Sequence, residues 1–330
     1  MHNHIPRRRL GQSSLWVTPL GLGLMSLSGI YGSSSDENGL AVIHRALDLG
    51  VNFLDSADMY GWGHNESLLG KALQGKRDQV IVATKFGQTR SDTGANGVNG
   101  RPEYVVQACE ASLQRLGLET LDLYYVHRID PTVPIEDTVG AMSQLVKQGK
   151  VREIGLCEAH PATIRRAHAV HPLAVVQTEY SLLYRQEAEE TLQTTRALGI
   201  GFVAYSPLGR SLLTATVQSA EEVAHDRRKD HPRFQADNFA HNRDRVRQLE
   251  ALARKKQCTP GQLALAWVLA QGEDVVAIPG TKQPGRVADN WAALAVELQE
   301  EDLVALHQAF PPGAAAGLRY PAGGMKGVYL

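Results

Sequence analysis

Four side chains, Asp55, Tyr60, Lys85 and His127, are of the types that move protons, and each falls at or just past the end of a short apolar run or in the loop behind one. In VNFLDSADMYGWGHNE, Val51, Phe53 and Leu54 give way at Asp55, and Tyr60 follows in a turn rich in Gly and polar residues. The runs at 80–84 and 121–126 end at Lys85 and His127. Each residue has a plainer role: Asp55 as a cap, Lys85 as a solvated loop lysine, His127 as a satisfied imidazole, Tyr60 as a partly buried anchor. Brought to one rim, the four point to proton transfer instead, which requires a fold that makes strand ends converge.

The pattern along the chain supplies one. Strands are expected at 20–25, 51–55, 80–84, 121–126, 151–156, 174–176, 200–204 and 275–278, each followed by a helix or by a loop and a helix. Helix boundaries are marked by Pro102 and Gly117, by Pro134 and Gly149, and by Thr259 ahead of Pro260. Continuously apolar strands are those buried on both faces, as in parallel sheets covered by helices. Eight such units predict an α/β fold, a closed (β/α)8 TIM barrel, with a doubly wound open sheet as the alternative. An N-terminal β-hairpin is expected across 7–18 and a Gly-, Ala- and Pro-rich C-terminal tail over the barrel surface from 311. The polar stretch 206–242 reads as disordered or as a functional lid, with EEVAHDRRKDHPRF within it a solvated surface. No linker divides the chain, so 1–330 is expected to be one domain. Gly21 and Gly23 lack the third glycine of a dinucleotide fingerprint, Ser26 standing there instead.

Composition narrows the partner. The 330 residues are 43% hydrophobic and 21% charged, with 34 basic against 35 acidic side chains. Such a balance offers no field for nucleic acid or a membrane surface and favours a small molecule. Cys109, Cys157 and Cys258 are sparse, odd in number and not at metal spacing, which suggests no metal, no structural disulfide and a reducing, cytoplasmic setting. The oligomeric state, a homo-oligomer included, stays open.

The segments FLDSADMYG, NESLLGKAL, VIVATKFG, LDLYYVHRID, VREIGLCEA, VVQTEYSLL, GFVAYSPLGR and IPGTK span nearly the whole chain and resemble the aldo-keto reductase superfamily. YYVHRIDP, NGRPEYV and YSPLGR are most similar to bacterial and plant members that reduce aldehydes with NADPH. By matching position the resemblance implies a catalytic tetrad of Asp55, Tyr60, Lys85 and His127. It implies a NADP(H) site in which Tyr205 stacks on the nicotinamide, Gln177 binds its carboxamide, and Lys282 and Arg286 hold the 2′-phosphate. Gly23, Met25, Asp55, Cys157, Glu158, Ser206, Pro207, Leu208, Arg210, Gly280, Thr281 and Asn290 complete that site. Tyr31, Trp62 and Phe86, with His127, are expected to wall the pocket of a small carbonyl substrate.

The four types suit such a reaction, since hydride addition leaves charge on oxygen that needs a proton and donors. A phenol of pKa about 10 is a weak acid; Lys85 is expected to stabilise its phenolate, Asp55 to hold Lys85, and neutral His127 to orient the oxygen. Cys157 and Glu158 depart from the usual Ser followed by Asn or Glu, and Ser211 stands where relatives often carry glycine. Arg128 is expected to pair with Glu158. Two rivals remain: a barrel aldolase with Lys85 as Schiff-base nucleophile, and an accessory subunit that binds cofactor without turnover.

Overall fold

The computed structural model describes residues 5–91 and 93–330. Eight parallel strands, Leu22–Gly23, Phe53–Asp55, Ile81–Phe86, Leu121–Val126, Val151–Cys157, Val175–Glu179, Gly201–Tyr205 and Val275–Ala277, each pair with the next in the chain. A parallel bridge from Leu20 to Ala277, with Gly21 N–H donating to the Ala277 carbonyl at 2.8 Å, joins the last strand to the first. The sheet is therefore a barrel and not an open, doubly wound sheet.

The two-residue side-chain period of a strand sorts the apolar residues into two shells. Phe53, Ala83, Leu123, Tyr125 and Val203 face inward, while Leu54, Phe86, Tyr124 and Val126 face the surrounding helices. Those helices begin and end as the local chemistry requires. Pro102–Leu116 has proline in its first turn and stops at Gly117 with φ +66°, and Pro260–Leu269 is opened by a capping box between Thr259 and Gln262.

The hairpin of Arg8–Arg9 and Trp16–Val17 closes the N-terminal end of the barrel, where Leu10, Leu15 and Val17 join the inward cluster. At Gly11, φ +55°, a Cβ would lie 2.7 Å from the carbonyls of Ala174 and Gly199, so only glycine lets the turn approach this closely.

One element was unforeseen and three expectations need correcting. A second hairpin, Gln88–Arg90 with Asn96–Val98, follows the third strand; its short polar strands carry no apolar alternation. Residues 206–235 are ordered as short 3-10 turns, and the next helix starts at Ala236, within the stretch expected to be irregular, burying Phe239 and Asn242. Nor is the charged run wholly solvated: Arg233 is buried, because Glu179 at the end of the sixth strand is fully buried and binds both Arg233 and Arg210. The tail, in turn, crosses the barrel's C-terminal mouth and does not merely coat its outside. Arg319 is buried on Glu158, Tyr329 N–H donates to the Glu158 carbonyl at 2.8 Å, and the Leu330 carbonyl accepts from His160 N–H at 2.7 Å. Among the described residues no helix is long and apolar enough to cross a membrane.

Candidate active site

A cavity of about 730 Å³ opens at the C-terminal ends of the strands. A more open depression of about 920 Å³ lies near the other end, by Arg77, Asp122 and Arg152, where Asp122 is already held by both arginines. Asp55, Tyr60 and His127 line the first cavity.

Asp55 ends the second strand, Lys85 is the penultimate residue of the third, and His127 directly follows the fourth. Because side chains alternate, Lys85 points into the barrel while Phe86 points out and stacks on Tyr124, ring centroids 4.8 Å apart. Lys85 is fully buried and donates to Asp55 Oδ1 and to the Ser56 carbonyl, the latter at 2.7 Å. Gln177 Nε2 donates to Asp55 Oδ2 at 2.9 Å, so both carboxylate oxygens are engaged. Burial works against the Lys85 charge, but Asp55 and then Tyr60 outweigh it and hold the ammonium above its ordinary value. A lysine kept protonated makes a poor Schiff-base nucleophile, which counts against the aldolase.

The Lys85 ammonium lies 5.2 Å from the centroid of the Tyr60 ring, and the His127 ring meets that ring edge-on at 5.7 Å. Burial pushes the Tyr60 hydroxyl up to about 12, with Lys85 pulling down against it, so the phenol is not made more acidic than usual. Loss of water around a phenolate outweighs one neighbouring cation here. Burial, with Arg128 and Lys85 adding to it, holds His127 well below its usual value; the imidazole is neutral at neutral pH. Burial likewise raises the Cys157 thiol to about 12, against Lys85 and Arg128, which leaves it unreactive.

Of the residues expected to touch a cofactor, Gly23, Met25, Asp55, Cys157, Gln177, Tyr205, Ser206, Pro207, Leu208, Arg210 and Gly280 line the cavity. Thr281, Lys282, Arg286 and Asn290 follow the last strand but are not on its wall. Lys282 donates to the carbonyls of Tyr31 and Ser33, and Arg286 to the Gln283 side chain. Glu158 is also off the wall: its two oxygens accept from Arg319, at 2.7 and 2.5 Å. That pairing displaces the expected Arg128–Glu158 bridge.

Tyr31 lines the cavity, but Trp62 and Phe86 do not. Trp62 sits in the turn before His64–Ala72 and is 46% exposed, and Phe86 belongs to the outer shell. The apolar wall comes instead from Ile30, Met59, Val98, Ile129 and Tyr320. Tyr320, whose hydroxyl is 2.9 Å from that of Tyr205, escaped sequence reasoning. An Arg-Tyr pair in an otherwise small-residue tail was the signal available.

In the loop after the second strand Asp58 is half-buried, and its buried Oδ1 has no partner among the described residues. Burial first, then Glu66, lift its carboxyl from 3.8 to about 7. The folded chain thus holds a proton that the unfolded chain releases, so stability falls as pH rises between those two values. Asp58→Asn should stabilise the fold by roughly 2–4 kcal/mol at about pH 8 and by less near about pH 4.5. Urea unfolding at the two pH values measures the difference.

A parallel barrel with acid–base side chains gathered at its C-terminal mouth defines an enzyme-type (β/α)8 fold. A model of the Aldo/keto reductase family matches residues 19–310, and the chain belongs to that family, whose members are oxidoreductases acting on carbonyl groups with nicotinamide cofactors. Probable aldo-keto reductase 1 of Glycine max is 48% identical over 314 residues, covering 94% of this chain and 91% of the relative. A glycerol dehydrogenase from Gluconobacter oxydans superimposes with a TM-score of 0.85 at 29% identity, over 93% of this chain and 96% of that one. An aldo-keto reductase from Bacillus halodurans, solved in its holo form, gives 0.77 at 28% identity over 95% and 98%.

Proposed function

We propose that the chain reduces small aldehydes and ketones to alcohols with NADPH, with Tyr60 as proton donor, in a reducing, cytoplasmic setting. The observation that carries this is the buried Lys85–Asp55 pair, tied off by Gln177, beside a tyrosine whose ring the neutral His127 meets edge-on.

The cavity suits a nicotinamide nucleotide. Ser26 Oγ and His127 Nδ1 are buried on its wall without partners among the described residues. Gly23 and Gly280 approach so closely that a Cβ on Gly280 would lie 2.8 Å from the Gly23 carbonyl, and Tyr205 offers a flat face. Gln177, its Nε2 committed to Asp55, keeps its carbonyl oxygen for the carboxamide. Lys282 and Arg286, neither in an ion pair among the described residues, would take the 2′-phosphate.

When bound, NADPH supplies the hydride. Neutral His127 donates to the carbonyl oxygen and orients it. Tyr60 then gives its proton to the forming alkoxide, a base comparable to hydroxide and far stronger than a phenolate. A phenol near 12 still donates downhill to such a base. Lys85, held charged by Asp55, offsets the phenolate left behind.

Loss of NADPH absorbance on adding an aldehyde tests the reaction directly, and its absence across a panel of aldehydes and ketones would remove the reading. For the cofactor, Lys282→Ala combined with Arg286→Ala should weaken NADP binding by about 10- to 100-fold while altering NAD binding far less, as two charge-assisted contacts warrant. Titration calorimetry with both nucleotides decides; an equal effect on the two would take the 2′-phosphate away from this pair.

A further inference from the structure

The cavity wall carries four cationic side chains, Arg128, Arg210, Arg227 and Lys326, against one side-chain carboxylate, Asp55. Asp55 is taken by Lys85, and Arg210 is taken by Glu179 through both of its terminal nitrogens. Arg227 and Lys326 are exposed, so water can serve their charge. Arg128 is different. Its hydrogen bonds are to the His127 carbonyl at 2.8 Å and to the Tyr320 hydroxyl at 3.5 Å, and it makes no ion pair among the described residues. Glu158, which could have neutralised it, is held by both guanidinium ends of Arg319. Arg128 is only partly exposed on the cavity wall, and a guanidinium half-removed from water and without an anion is held at a cost that a bound anion would offset.

Two candidates could supply that anion. The cofactor phosphates are drawn to the loops after the seventh and eighth strands, where Arg210, Lys282 and Arg286 lie, whereas Arg128 follows the fourth strand, four places round the barrel from the eighth. Arg128 is also next in sequence to His127, at the reacting end. The substrate is left.

We propose that Arg128 receives a carboxylate on the carbonyl substrate, so that this chain prefers aldehydes or oxo compounds that carry an acid group over neutral ones of the same shape. This rests on the carbonyl-reducing role of the same site. One planar guanidinium fork matches one carboxylate. The residue sets specificity and takes no part in the proton or hydride steps.

The test compares 4-carboxybenzaldehyde with 4-nitrobenzaldehyde, which is planar, similar in size, electron-poor and uncharged. In the wild-type chain kcat/KM should favour the acid, and added salt should lower its value more than that of the nitro compound. Arg128→Gln should cut the acid-to-nitro ratio by about 10- to 100-fold, mainly through KM, the range a charge-assisted bond spans. Arg128→Lys, which keeps the charge, should restore part of it. If Arg128→Gln slows both aldehydes alike, the residue only anchors Tyr320 and the proposal falls. If neither aldehyde is reduced, the reductase reading fails first. Binding of 4-carboxybenzoate, followed by tryptophan fluorescence, then still tests the anion site: affinity lost in Arg128→Gln supports it, and equal affinity overturns it.

Discussion

Tyr60→Phe is expected to lower kcat for carbonyl reduction by at least about 100-fold, the smaller end of what a positioned acid contributes. The substitution removes one oxygen. The ring that meets His127 edge-on at 5.7 Å and lies beside Lys85 remains, so the pocket should keep its shape and its substrates. KM is therefore expected to move little, and the loss should fall on the chemical step. Binding of NADP should be nearly unaffected, which separates a missing proton donor from a damaged site. Rates within a few-fold of wild type, in a variant with an unaltered circular dichroism spectrum, would assign the proton to water or to another residue.

Much of this site could be read from the chain because barrels turn sequence position into spatial position. Asp55, Lys85 and His127 each close a run of apolar residues, and in a parallel barrel every such end reaches the same rim. The glycines and prolines around Pro102–Leu116 and Pro260–Leu269 gave helix boundaries close to those observed. Most of what failed shares a cause: the determinants were contacts between segments distant in sequence. Phe86, expected as an aromatic pocket wall, is the exception: a strand sends neighbours to opposite faces, and the register that buries Lys85 necessarily turns Phe86 outward. The charged run before Ala236 looked solvated because nothing local shows that Glu179, about fifty residues earlier, lies buried and requires Arg233. Nor does a tail of small residues reveal that Arg319 will cross the mouth and take Glu158 from Arg128. Burial raises the Tyr60 hydroxyl for the same reason, since loss of water depends on the whole surround and not on the nearest charge.

The tail offers the second large effect. Arg319 and Glu158 are almost wholly buried and joined through two hydrogen bonds, and the same guanidinium lies 4.2 Å from the centroid of the Tyr184 ring. Arg319→Ala leaves the Glu158 carboxylate in the interior with only the Glu179 N–H to satisfy it. A buried charge stripped of its partner costs about 3–5 kcal/mol, and that is the expected loss in urea unfolding. The double variant Glu158→Gln with Arg319→Met removes both charges and should recover most of it, because the penalty comes from the orphaned ion more than from the lost attraction. The consequence for function follows from position: Tyr320 is the next residue, and its hydroxyl meets Tyr205 on the cavity wall. Freed from Arg319, residues 320–330 should become cleavable by trypsin in Arg319→Ala but stay protected in wild type. A single variant destabilised by less than about 1 kcal/mol, with its C-terminus still resistant, would mean that the backbone contacts of Tyr329 and Leu330 hold the tail and that the buried pair serves another end.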